Sequence, residues 1–323
     1  MSAVPKISVL MSVYNGEQYL AQAIESVLGQ TMPDFEFIII NDGSNDNTQH
    51  IINKFSDKRI ITVQNRTNIG LTLSLNKGIQ SAKAQYIARH DADDISLPER
   101  FQKLYEYMER NPHIVLLGSS CLLIDTQGNV LKTKKLSTGS KNLKQHLRRC
   151  SQFCHGSVIY RKQTVNKLHG YRPKAKYVED YDLWCRMAKA YDIENLAEPL
   201  YQLRLHADSI SIKNLFTQKR YERLISNLYA KESKDTMEEL DDLTDQEIES
   251  RLTQLLPVNQ NTINRIHRDK YYEWSEIMYN AKKYKSTMKQ LKEAMHYDAR
   301  DAAAWLLLTK CVIKLMFAKN SSS

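Results

Sequence analysis

The sequence predicts an α/β fold, a parallel sheet with helices on both faces, followed by an all-helical C-terminal region. Three observations carry this expectation. Four short apolar runs, Ile7–Val13, Phe35–Ile40, Ile60–Gln64 and Tyr86–Arg89, alternate with stretches of helical periodicity, the pattern of successive βαβ units. Each run ends in a polar loop, so the carboxyl ends of the strands collect ligand-type residues along one rim. From Asn214 onward the composition turns to long polar helical stretches with no strand signal.

In order, Ile7–Val13 reads as a buried strand, Tyr14-Asn15-Gly16 as a turn, and residues from about Glu17 to Gln30 as a helix. Phe35–Ile40 runs into the turn-forming loop Asn41-Asp42-Gly43-Ser44-Asn45-Asp46, and a helix follows over Thr48–Phe55 with Asn45 or Asp46 as its cap. Strand Ile60–Gln64 leads through Asn65–Gly70 into a helix that ends near Ala82. The fourth strand, Tyr86–Arg89, opens onto Arg89-His90-Asp91-Ala92-Asp93-Asp94, and a helix starts near Pro98. Beyond it come strand segments Val115–Gly118 and Cys121–Ile124, a hairpin turn at Asp125–Asn129, and His155-Gly156-Ser157 before a short strand Val158–Tyr160. Val178-Glu179-Asp180 opens an amphipathic helix through Ala190, and Leu200–His206 closes the region. Residues 1–212 form one expected domain and residues 213–323 a helical appendage, with helices over Tyr271–Ser286, Thr287–Tyr297 and Ala302–Phe317.

The acidic turn is the most informative stretch. Three carboxylates within four positions repel one another and call for a cation. Alternate residues of an extended segment point the same way, so Asp91 and Asp93 can reach one point while Ala92 turns aside. A hard divalent ion suits that point, and magnesium or manganese takes a few carboxylate oxygens together with substrate phosphates. The competing reading makes Asp91 to Asp94 an acidic turn that caps the next helix.

Composition narrows the rest. The 323 residues are 42% hydrophobic, enough for a substantial core. Five cysteines without CxxC spacing argue against a disulfide framework or a zinc site and suit a reducing cytosol. The start of the chain lacks an apolar core of signal-peptide length, and no stretch reaches the roughly 18 apolar residues of a spanning helix. The protein is therefore expected in the cytoplasm. Net charge +9 implies an anionic partner: a nucleotide, lipid headgroups or a nucleic acid. Neither GxGxxG after the first strand nor a Walker loop is present.

Several segments in order, ISVLMSVYNGEQYLAQAIESVLGQT, FEFIIINDGSNDNT, NIGLTLSLNKGIQSAKAQYIARHDADDISLPERF, GSSCLLIDTQGNV, CHGSVIYRK, VEDYDLWCRMA and EPLYQLRLHADSIS, resemble the family 2 inverting glycosyltransferases of GT-A fold. The resemblance covers roughly residues 6 to 212. It implies a Rossmann-like nucleotide-diphospho-sugar transferase domain that moves a hexosyl or N-acetylhexosaminyl group. The donor is a nucleotide sugar, UDP-linked, and the acceptor a hydroxyl on a surface glycan such as a capsule or lipopolysaccharide, or on its lipid-linked precursor.

The resemblance also implies roles. Val13, Tyr14, Glu17, Asp42, Asn68, Arg89, Asp91 and Ala92 surround the donor nucleotide, with Asp42 accepting from the uracil ring N–H. Arg89 neutralises phosphate or pairs with a carboxylate. Asp93 holds Mn2+ or Mg2+, with Asp91 and His206 beside it. His155, Gly156, Glu179 and Trp184 line the sugar and acceptor side, and Asp180 is the general base. An inactive nucleotide-sugar-binding relative is the alternative, which intact Asp42, Asp91, Asp93 and Asp180 disfavour. A nucleic-acid partner is excluded because the carboxylate-lined rim repels phosphates except through a metal.

The C-terminal helices weakly resemble one and a half tetratricopeptide repeats, with Trp305 placed 34 residues after Tyr271. So few repeats must dock on the enzyme or on another chain. The apolar, lysine-bearing last helix is either a core element or an interfacial one, which would make the protein peripheral at the inner face of the cell membrane.

Overall fold

The computed structural model describes residues 4–230 and 239–320 of the chain. β1 (Ile7–Val13), α1 (Leu20–Leu28), β2 (Phe35–Asn41), α2 (Thr48–Asn53), β3 (Ile60–Gln64), α3 (Leu71–Ser81) and β4 (Tyr86–Arg89) form the expected alternation. They build a parallel β3-β2-β1-β4 half-sheet. In register, Val13 lies beside Asn41 and Asn41 beside Gln64, so these strand ends form the predicted rim. α1 begins three residues later than expected. Residues 15–17 are instead bound by the loop after β2 and the first residue of α2, through Asn15 N to Ser44 Oγ (3.0 Å), Gly16 N to Thr48 Oγ1 (2.9 Å) and Glu17 N to Asp46 Oδ2 (3.0 Å).

The second half departs from a purely parallel sheet. β5 (Ile95–Ser96), α4 (Arg100–Arg110), β6 (Ile114–Ile124), β7 (Val130–Lys134) and α5 (Ser140–His146) follow, then a 3₁₀ turn at His155–Ser157. After it come β8 (Ile159–Arg161), α6 (Lys162–Lys167), α7 (Glu179–Ala190) and β9 (Asp192–Arg204). The sheet continues β4-β8-β6-β9-β5 with β7 paired to β6, and only β6 and β9 are parallel there. The two strand segments expected around Gly118 are one strand, bulged near Ser119 and Ser120 against β9. The acidic turn does not cap a helix: it leads into β5, and α4 starts at Arg100 with no side-chain cap.

α8 (Ile210–Lys213), α9 (Leu215–Ala230), α10 (Glu239–Asp242) and α11 (Asp245–Leu255) come next. Tyr221, Leu224 and Leu228 of α9 and Leu252 of α11 share one apolar cluster with Leu183, Trp184 and Met187 of α7. On the other face of the sheet, Val9, Met11 and Phe37 pack with Ile24 of α1 and Phe101 of α4. α12 (Gln260–Asn280) docks separately on the β6–β7 hairpin through Trp274, Ile277 and Met278 against Leu123 and Leu131. α13 (Tyr284–Tyr297) and α14 (Ala302–Asn320) stack on it around Leu291, Ala304 and Leu307. The break expected near Ser286 falls at 281–283, where Lys282 adopts φ 59.

α7 is anchored by an ion pair inside the core. Asp182 Oδ2 accepts from Arg186 Nε (2.9 Å), and the same guanidinium donates to Gly170 O (2.7 Å). Both residues are at most 5% exposed. Asp182→Ala leaves a buried cation without its anion, so it should lower unfolding free energy by about 3–5 kcal/mol in a urea titration. A loss under 1 kcal/mol would mean that Arg186 is satisfied by its carbonyl partners alone.

Candidate active site

The rim is built by loops that bind one another. β1 ends at Val13, whose carbonyl accepts from Asp42 N (2.8 Å). Asp42 is 2% exposed, and its Oδ1 accepts from Asn65 Nδ2 (2.8 Å) and Ile69 N (3.0 Å) while Oδ2 accepts from Gly70 N (2.9 Å). A carboxylate has about four acceptor sites, so one remains on Oδ2. Gly43 beside it has φ +70, and a Cβ there would lie 2.5 Å from Thr67 C, which leaves glycine as the residue that lets the two loops close. Tyr14 stands 49% exposed at the mouth. Glu17 Oε2 accepts from Asn47 N (3.0 Å) and Nδ2 (2.7 Å), so this acid braces the loop after β2. Asn68 Oδ1 accepts from Gly70 N (2.9 Å).

The acidic turn is held from below. Arg89 is fully buried, donates to the carbonyls of Leu10 and His90, and pairs with Asp91 Oδ1 (2.6 Å). It therefore has no surface to offer a phosphate directly, a correction to its expected contact with the donor: its charge reaches the site through Asp91. Asp91 N donates to Tyr201 OH (3.1 Å), and a Cβ on Gly156 would stand 2.6 Å from Asp91 Oδ2. Gly156 thus permits the 3₁₀ turn to approach the carboxylate. Arg100, also fully buried, donates to Arg89 O (2.7 Å) and Gly156 O (2.8 Å) and locks the two segments together. Ala92 is half-buried behind Gly16.

Asp93 and Asp94 have opposite surroundings. Asp93, about one-third exposed, places Oδ2 2.8 Å from His206 Nε2. The Tyr19 ring packs against His206 at 5.2 Å, with the Arg204 guanidinium over that ring at 4.5 Å. Arg204 also donates from Nε to Asp93 O (2.8 Å) and from its main chain to Asp94 Oδ1 (2.8 Å). Burial, then the charges of Asp93 and Asp91, push the Asp94 carboxyl well above its ordinary range. Asp94 is thus a structural acid, while Asp91 pairs with Arg89 and Asp93 keeps an exposed carboxylate oxygen beside His206.

Among the described residues no ready-made group of three or more His, Cys, Asp and Glu surrounds a cation. One exposed carboxylate beside one imidazole is an incomplete donor set. It fits Mn2+ or Mg2+, which fill their remaining positions with phosphate oxygens and water.

The opposite wall comes from α7 and the 3₁₀ turn. Asp180 is half-buried and its Oδ1 accepts from Tyr181 N (2.7 Å). Burial pushes its carboxyl up to about 6, the Tyr181 N–H pulls it down, and the charge of Asp91 raises it again. Neighbouring Glu179 is raised to about 8 by burial and by Asp180. The two acids titrate as a coupled pair in which each charge opposes the other, with Glu179 the more strongly raised. The 3₁₀ turn joins the two walls: Trp184 of α7 packs against His155, and the neighbouring Gly156 approaches Asp91 Oδ2. His155 Nε2 meets Tyr171 OH (3.1 Å), and burial followed by the Arg89 charge keeps this imidazole neutral. Trp184, expected in the pocket wall, is 0% exposed and packed among Phe153, His155, Tyr160 and Tyr171, so it supports His155 from behind and offers no surface to the pocket.

Tyr201, Arg204, Arg100 and Tyr19 escaped the sequence reading. Strand alternation was the available signal for one of them, since Arg204 and His206 share a face across Leu205. Tyr201 and Arg100 gave none, because each acts on a segment far away in the chain.

The family model for glycosyl transferase family 2 matches residues 8–168. The O-antigen biosynthesis glycosyltransferase WbnJ of Escherichia coli is 33% identical over 213 residues, 63% of this chain and 81% of its own length. The amylovoran biosynthesis glycosyltransferase AmsE of Erwinia amylovora is 32% identical over 209 residues, 63% of this chain and 78% of its own. Among solved structures, Staphylococcus aureus TarS 1-349 in complex with UDP superposes with TM-score 0.57 at 16% identity, covering 98% of this chain and 92% of that one. The same protein with UDP-GlcNAc gives TM-score 0.58 at 17% identity, covering 94% and 90%.

Proposed function

Because this chain belongs to glycosyl transferase family 2, we propose that it is a metal-dependent inverting enzyme that moves a sugar from a UDP-linked donor to a hydroxyl of a surface polysaccharide or its lipid-linked precursor. The observation that carries the reading is the junction of α7 with the acidic turn through His155-Gly156, with Asp180, raised to about 6, on the α7 side and Asp91 and Asp93 on the other. An inverting transfer needs one base to take the acceptor hydroxyl's proton as its oxygen attacks the anomeric carbon and the bond to the diphosphate breaks. Asp180 is the base. It requires no covalent intermediate on the protein.

Asp42 retains one acceptor site for a base N–H, and Tyr14 packs on the nucleoside from its exposed position. His155 and Gly156 line the donor sugar beside Asp91. Asp93 and His206 hold a divalent cation with the diphosphate, and the cation's chemistry is to offset charge on the departing nucleotide. Support for uridine comes from TarS, whose structures contain UDP and UDP-GlcNAc, and for the acceptor class from the amylovoran and O-antigen relatives. An acceptor of that kind puts the enzyme's work at the inner face of a membrane.

Calorimetric titration of UDP, GDP and dTDP with and without manganese tests the donor side. Manganese-dependent preference for UDP by at least about tenfold, or 1.4 kcal/mol, is expected. Equal affinities for UDP and GDP would remove Asp42 from base recognition, whereas dTDP, whose thymine carries the same ring N–H, reports on the ribose 2′-hydroxyl and the base methyl.

A further inference from the structure

α14 is apolar on two sides, and the protein covers one. Ala304, Leu307 and Cys311 are buried, with Ala304 and Leu307 against Leu291 of α13. Away from them, Trp305 is 50%, Leu306 59%, Ile313 46% and Met316 62% exposed. With 3.6 residues per turn these four fall within about 100° around the helix, with Thr309 between them, and make one continuous strip. Contiguous exposed side chains of this size mark a contact surface, whereas single exposed ones do not.

The charge around the strip says what it contacts. Lys310 and Lys314 lie exposed along its edge, and residues 302–320 contain no Asp or Glu. α13 shows exposed Lys285, Lys289 and Lys292 in a row at i, i+4 and i+7. Among the described residues none of these five lysines enters an ion pair. Residues 260–320 hold twelve Lys+Arg against six Asp+Glu, so most of the chain's net charge of +9 sits here. A protein helix needs the strip alone, but an anionic lipid surface engages strip and lysines together. Among the described residues no helix is long and apolar enough to cross a membrane, which leaves an in-plane contact.

We infer that α14 docks this protein on an anionic membrane surface. Trp305, Leu306, Ile313 and Met316 enter the headgroup boundary, and Lys310 and Lys314 meet lipid phosphates. The α13 lysines add attraction that acts within a Debye length of the surface.

The test floats the full chain with vesicles of phosphatidylcholine alone or mixed with phosphatidylglycerol. Binding is expected to the anionic vesicles only, and to fall as salt rises. Trp184 and Trp274 are buried, so a blue shift on binding reports Trp305, and Trp305→Phe should remove the shift. Leu306→Gln, Ile313→Gln and Met316→Gln combined should abolish flotation. Lys310→Gln with Lys314→Gln should weaken partitioning about 25-fold, from about fivefold per lysine. These positions are exposed and outside the cleft, so UDP binding and circular dichroism should remain as in the wild type. Absence of flotation with UDP binding intact overturns the membrane contact and leaves the enzymatic reading in place. Equal flotation with neutral vesicles also overturns it, as does strip-dependent self-association without lipid, which assigns the strip to a second copy of the chain.

Discussion

Asp180→Asn should leave UDP binding within about twofold of wild type and lower kcat by about 10²–10⁴-fold, the usual contribution of a positioned general base. The substitution keeps the Tyr181 N–H contact and removes only the ability to take a proton. In the wild type, kcat/KM should fall as pH drops below about 6, the value to which burial raises this carboxyl, because protonation removes the base. Glu179→Gln makes the sharper comparison. Burial and the Asp180 charge already keep Glu179 protonated at neutral pH, so its amide should leave the low-pH limb near its wild-type place. Turnover by Asp180→Asn within tenfold of wild type would remove Asp180 from the base role.

Asp93→Ala should weaken manganese-dependent UDP binding by at least about tenfold, the lower end of what losing even a supporting contact costs a metal site. It removes the exposed carboxylate 2.8 Å from His206 Nε2. Metal-free UDP binding should be unchanged, since Asp42 and Tyr14 belong to the loops after β2 and β1. Calorimetry with and without manganese separates the two. Identical affinity in manganese for variant and wild type would sink the metal assignment, whereas an equal loss in both conditions would mean that the turn had collapsed.

The GT-A architecture and its helical C-terminal region were legible because their signals are local. Buried parallel strands such as Phe35–Asn41 read as near-continuous apolar runs, broken here only by Glu36 before the polar end, and chain direction alone puts their polar ends on one rim. The second half was harder to read. β5 is two residues long, and its pairing with β9 joins positions more than a hundred residues apart, which no window of sequence registers. For the same reason the acidic turn looked able to cap a helix.

The order of elements, the family and the acids available for chemistry follow from the residues in their order along the chain. What each acid faces is set by the folded packing around it. Asp94 and Asp93 are adjacent in the chain, yet one is sealed by Arg204 and the other opens beside His206. Arg89 and Trp184 carry polar groups, but both are fully buried and serve the site through Asp91 and His155. A residue's charge state and reach depend on desolvation and on partners brought from distant segments, and those exist only once the chain has folded.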